Sequence, residues 1–224
     1  MLLKEWVKVN NGQERKEMII RPYTEADFDS LIKLQRACFP PPFPDELLWN
    51  EDQLKEHVIR FPQGAICAEI DQQVVGSMTT LLTTYHLGDQ HTWSEVTDHG
   101  YIRNHNPQGN TLYVVDISVH PDFRSSGIGR RLLQAMYYLV VELKIDRLLG
   151  GGRMPNYHLY ADKLTAEEYL EEVLKGNIGD PVISFMLNSG RIPYGVVQNY
   201  LEDEESLNYA ALMAWENPFK KMTP

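Results

Sequence analysis

Residues 111–152 constrain the fold of this chain most, because they read in order as a buried strand, a glycine-bearing turn, an amphipathic helix and a second buried strand. "TLYVVDISV" is rich in β-formers, and "HPDFRSSGIG" breaks it. In "GIGRRLLQAMYYLVVEL", Ile128, Leu132, Leu133, Met136, Leu139, Val140 and Leu143 fall on one helical stripe, and "IDRLLGGG" closes the unit. Strand, helix and strand in that order require a crossover, with the helix lying on the sheet that the strands share.

The flanking sequence extends this layered plan. After a polar lead-in over 1–17, Met18 to Tyr23 reads as a strand, and a helix follows from a Thr24 cap with Phe28, Leu31, Ile32, Leu34 and Ala37 at helical spacing. The prolines of "CFPPPFP" stop it. A second helix is predicted from Asp45 to Arg60, then a hairpin formed by "AICAEI" and "VVGSMTTLLTTY" around the turn "DQQ". Two aperiodic excursions interrupt the order, at 86–110 and 153–179, the second with its own helix behind a Thr165/Glu168 capping box. "PVISFMLNS" reads as a last helix, and two strands separated by the solvated turn "EDEES" finish the chain. The expectation is a single domain over 18–224 with two insertions.

Composition excludes several classes. Among 224 residues, 43% are hydrophobic and 23% charged, as in an ordinary globular protein. The balance of 21 basic against 31 acidic residues, a net charge of -10, argues against nucleic acid or an anionic membrane as partner. Cys38 and Cys67 form no CxxC pair, which suits a reducing cytoplasm, and no apolar run reaches membrane-spanning length. A soluble cytoplasmic protein is expected. His86, His91, His99 and His105 crowd the first excursion beside Asp89, Glu95 and Asp98, but at no zinc spacing, so no metal is expected and the segment is read as shaping an acceptor pocket.

The turn carries the chemistry. Arg124-Ser125-Ser126-Gly127-Ile128-Gly129 fits R-x-x-G-x-G at a helix start, where unpaired N–H groups and the helix dipole converge on an anion and the glycines admit it closely. Arg124 and Arg130 add positive charge. A P-loop would need a lysine after the glycines, and a dinucleotide fingerprint would need G-x-G-x-x-G and an acidic end to the next strand; neither is present.

The whole string "ISVHPDFRSSGIGRRLL" resembles the acetyl-CoA-binding core of the GNAT superfamily of N-acetyltransferases. The segment "RMPNYHLYADKLTAEEYLEEVLKGNIGDPVISF" with "NYLEDEESLNYAALMAWENP" is similar to the acetyltransferase module found fused to nitrilase-type carbon-nitrogen hydrolases. The resemblance implies an α+β fold with a central mixed, mostly antiparallel sheet of about seven strands flanked by helices. It implies acetyl-CoA as co-substrate, its diphosphate held by Arg124, Ser125, Ser126, Gly127, Ile128, Gly129 and Arg130, and its pantetheine arm paired with Ile117, Ser118 and Val119. The reaction implied is direct transfer of the acetyl group to a primary amine of a small molecule or peptide. A homodimer and a hydrolase partner are both compatible with it.

For the proton of the amine, Asp116 is the first candidate base; His120 and Tyr157 are the alternatives. The family's usual acid, a tyrosine in the helix after the second splayed strand, is missing: aligning Gly190 with the family glycine puts Met186 at the tyrosine position and Arg191 at a phenylalanine position. Tyr157, Tyr160 and Tyr194 are the candidate substitutes. The missing acid also keeps a second reading open, a non-catalytic acyl-CoA-binding module docked on a hydrolase partner.

Overall fold

The computed structural model describes residues 3–9, 12–41, 43–86 and 88–220; Pro42 of the proline run, Leu87 of the first excursion and the last four residues lie outside them. The strands are β1 (Leu3–Val9), β2 (Glu14–Pro22), β3 (Ala65–Ile70), β4 (Gln73–Thr83), β5 (Thr111–Val119), β6 (Arg147–Arg153), β7 (Ile192–Val197) and β8 (Ala210–Glu216). Among the described residues they form one sheet in the order β1-β2-β3-β4-β5-β6-β8-β7, with only β5 and β6 parallel. The sheet is mixed and mostly antiparallel, as expected, with eight strands instead of about seven. The extra one is β1: the polar lead-in pairs antiparallel with β2, burying Val7 and Val9 while its charged residues face solvent.

Among the described residues six α-helices accompany the sheet: α1 (Phe28–Cys38), α2 (Glu51–Arg60), α3 (Trp93–Thr97), α4 (Ile128–Glu142), α5 (Ala166–Leu174) and α6 (Pro181–Asn188). Helix α4 buries the stripe Ile128, Leu132, Leu133, Met136, Leu139 and Val140 under the sheet, as its periodicity requires. The second predicted helix starts six residues later than expected. Asn50 caps it, accepting from Gln53 N while the Gln53 side chain returns to Asn50 N; residues 45–47 make a single 3-10 turn, and Leu48 and Trp49 leave helical geometry to become buried. The "DQQ" hairpin closes through Asp71 and Gln72, both at positive φ.

The first excursion is a packed element. His57 of α2 is fully buried; its Nε2 donates to the Gly100 carbonyl (2.6 Å), so its Nδ1 accepts from the Tyr23 hydroxyl (2.9 Å). Trp93 N donates to the Tyr200 carbonyl at 2.7 Å, and Gln53 Nε2 to that of His99 at 2.8 Å. Polar side chains reaching backbone atoms hold the segment, which is why no hydrophobic period announced it. The second excursion wraps a satellite core of Met154, Tyr157, Tyr169, Leu170, Val173 and Ile183. The acidic turn "EDEES" is also more than solvated: Asp203 is buried and takes a bidentate pair from Arg153 (2.8 and 2.6 Å), whose Nη2 also reaches Glu205.

Candidate active site

β5 and β6 pair only at Thr111–Tyr113 with Arg147–Leu149. Beyond these three pairs β5 continues beside β4 and β6 beside β8, so a wedge opens within the sheet. Three successive glycines of β6 line it. A Cβ on Gly151 would lie 2.4 Å from the Tyr200 ring, and one on Gly150 2.9 Å from Val114 Cβ, so only residues without a side chain let these neighbours close on the strand.

A β-bulge decides which groups face the wedge from the α1 side. Val114 opposes Thr80 and Asp116 opposes Thr79, which leaves Val115 as an extra residue on β5. Thr79 and Leu81 alternate onto one face, so their partners Asp116 and Tyr113 share that face although they are three residues apart. Without the extra residue Asp116 would point toward α4. The Val115 carbonyl accepts from Trp93 Nε1 at 3.0 Å, which anchors the first excursion to the bulge.

Around this point lies a cavity of about 190 Å³, lined by Gln35, Phe39, Trp93, Asp116, Arg191 and Tyr200 among others. Burial pushes the Asp116 carboxyl up to about 6, against the opposing pull of hydrogen bonds from Ser118 Oγ (3.0 Å) and Gln35. The group therefore stands near neutrality, where a carboxylate can both accept and release a proton. Tyr200 is bonded through its hydroxyl to Tyr113 (2.8 Å), and Tyr113 to His91 Nε2 (2.8 Å), a buried chain running from the cavity to the first excursion. Burial raises both phenols, Tyr200 to about 12.

The glycine turn lies at the far end of β5. Ser125 and Gly127 have φ of +62° and +80°, and α4 begins at Ile128 without a side-chain cap, leaving its first N–H groups outside the helix ladder. A shallow groove beside the turn is shared with Trp6 and Lys8 of β1 and Arg15 of β2, and Arg131 is held there by Glu5. These lead-in residues give the turn a cationic flank that the sequence did not announce, since β1 was not recognised as a strand.

The sequence model described as "Acetyltransferase (GNAT) family" matches residues 28–164. The chain belongs to the GNAT family. "Uncharacterized N-acetyltransferase YkwB" of Bacillus subtilis is 52% identical over 222 residues, covering 99% of this chain and 98% of that protein. "Probable hydrolase YhcX" of the same organism is 43% identical over 94% of this chain, which corresponds to 40% of the hydrolase. Among solved structures, the "GphF GNAT-like decarboxylase in complex with isobutyryl-CoA" superposes with a TM-score of 0.70 at 23% identity, over 88% of this chain and 98% of that one. Family membership makes the chain an acyltransferase.

Of the residues singled out in the sequence, Asp116 and Ile117 line the cavity, and Ser118 is tied to Asp116. The Val119 carbonyl accepts from Cys38 Sγ (3.2 Å) and Arg124 Nε (3.4 Å), joining β5 to α1 and to the turn. Arg124 to Gly127 form the turn and Ile128, Gly129 and Arg130 open α4, with Arg124 and Arg130 exposed. The structure does not bring the other candidates to Asp116. His120 sits outside the cavity, its Nδ1 accepting from Asp122 N at 3.3 Å. Tyr157 packs in the satellite core and donates to the Leu164 carbonyl, and Tyr160 lies beside Tyr169. Tyr194 is on the edge strand under Arg147. The four excursion histidines are dispersed: His91 bonds Tyr113, and His105 stacks on Phe61 while accepting from Leu82 N. Gln35, Trp93 and Tyr200, which complete the cavity, carried no sequence signal beyond residue type.

Proposed function

We propose that this acyltransferase moves an acyl group, acetyl in the simplest case, from CoA to a primary amine held in a ternary complex. The observation that carries the reading is Asp116 at the bulge, inside the cavity and three residues before the end of β5, beyond which the glycine turn follows. The turn would take the CoA diphosphate and the unpaired edge of β5 would take the pantetheine arm, which directs the thioester into the wedge. An alkyl ammonium with a pKa near about 10 is protonated at neutral pH, so a carboxylate that both holds the cation and accepts its proton fits the need. Asp116 takes the first proton of the ammonium, the freed amine nitrogen bonds to the thioester carbonyl carbon, and the C–S bond breaks; the second N–H proton, lost as the amide forms, goes to the departing sulfur, and CoA leaves as the thiol. Cationic acceptors are favoured further by a second cavity of about 290 Å³ that shares Phe39, Phe43 and Arg153 with the first and is rimmed by Glu202, Asp203, Glu204 and Glu205.

Met186 at the usual acid position favours one competing reading, a module that binds acyl-CoA without turning it over. The test is thiol release from acetyl-CoA with a panel of polyamines, aminoglycosides and lysine-like amines. Turnover with any of them supports the enzyme; tight CoA binding with no release across the panel supports the module.

A further inference from the structure

Arg191 is buried to 4% exposure between α6 and β7, on the wall of the same cavity. Its Nη2 donates to the carbonyls of Gly150 (2.9 Å) and Met213, whereas its Nε has no partner. Among the described residues no carboxylate pairs with it. Its electrostatic neighbours are the hydroxyls of Tyr137, Tyr200 and Tyr113. Burial lowers the guanidinium to about 10, so it remains charged at neutral pH. A buried, unpaired cation with an unused donor is costly in a folded protein unless something supplies the missing negative charge. Tying two carbonyls does not require the charge, and it is the charge, since Nε is closed off from the cavity, that an incoming anion would meet.

Position decides what the anion belongs to. Gly150 is the first β6 residue past the last β5–β6 pair, so Arg191 sits at the closed apex of the wedge. With the CoA turn at the opposite end of β5, the arm enters from Val119, and the part of the ligand that reaches farthest toward Val114 and Gly150 is the end of the acyl group. The diphosphate stays outside and the sulfur stops short. Asp116 projects on the α1 face, hydrogen-bonded by Ser118, and lines the same cavity of about 190 Å³ as Arg191.

We propose that Arg191 receives a carboxylate at the end of the acyl group, so that the donor this wedge selects is a CoA thioester of a short dicarboxylic acid. The inference rests on the reading of the turn as a CoA site. Calorimetric titration of the parent with CoA, acetyl-CoA, malonyl-CoA and succinyl-CoA tests both. One of the two carboxylated thioesters is expected to bind at least tenfold more tightly than acetyl-CoA. Arg191→Met, of similar length and uncharged, should lose that preference and keep its acetyl-CoA affinity within threefold; Arg191→Lys should retain part of it. Equal affinity of the parent for all three thioesters overturns the carboxylate site, and this needs no variant to fold. So does a variant that keeps the preference. If Arg191→Met instead slows acetyl transfer with no parental preference to lose, the guanidinium serves the leaving thiolate and the proposal fails. No binding of CoA itself would sink the underlying reading of the turn instead.

Discussion

Asp116→Asn separates the proposed base from its structural cost. Burial raises the carboxyl from 3.8 to about 6, a shift of about 2 units, or about 3 kcal/mol at 1.36 kcal/mol per unit. The folded value lies above the unfolded one, so this group's contribution to stability is complete below pH 4 and is lost as the pH rises through 6. The Asn variant has no charge to desolvate. Its advantage over the parent should be near zero at pH 4 and grow to about 3 kcal/mol at pH 7.5. The parent's own curve hides this, because His57 works in the opposite direction in the same window. Burial lowers its imidazole from 6.5 to about 4, so its contribution is present above 6.5 and lost as the pH falls through 4. Subtracting parent from variant removes the His57 effect. The assay is urea unfolding at pH 4, 5, 6 and 7.5 beside the pH profile of kcat/KM. The variant should be the more stable protein at pH 7.5 and the slower enzyme by roughly a hundredfold, with the parent's acid limb near pH 6 abolished. A variant less stable than the parent at pH 7.5, or one with an undiminished rate, would refute the assignment.

Two further outcomes follow from the glycines. Gly151→Ala puts a methyl group 2.4 Å from the ring of Tyr200, which is buried and bonded to Tyr113, whereas Gly152→Ala meets first the terminal methyl of Met186, the far end of a flexible chain; thermal denaturation should show the first costing about 1–3 kcal/mol and the second clearly less. Gly127→Val, at a φ of +80° in the turn, should weaken acetyl-CoA binding at least tenfold by titration, about 1.4 kcal/mol, and calorimetry showing unchanged affinity would move the diphosphate elsewhere.

The crossover unit, the turn and the α4 stripe were legible because each rests on a local pattern: period, glycine placement and helix-start geometry. Strand β1 was not, because an edge strand buries only alternate residues, and with Val7 and Val9 as its only buried positions it reads as polar chain. Asp116 could be named from its place in an apolar strand, but its face could not, since one bulge residue reverses the parity of everything after it. Tyr157 was a reasonable acid by type and sequence position. Its surroundings are set by the satellite core, which no local pattern encodes. Arg191 stood out only as a departure from the family pattern, and its meaning came from the carbonyls and the orphaned Nε around it.

The short β5–β6 ladder makes this sheet two leaves on a hinge. One leaf is β1 to β5, the other β6, β8 and β7, and between the two middle strands only three residue pairs are in register. An unpaired strand border ordinarily invites a foreign strand; here that border is internal, flanked by residues of α1 and α6 such as Gln35, Val182 and Phe185. A ligand lying along it would bridge strands that share a core but no ladder beyond Tyr113 and Leu149. The C-terminal leaf should then be a separate cooperative unit in amide exchange, opening more readily than the N-terminal one and slowing most when the border is filled.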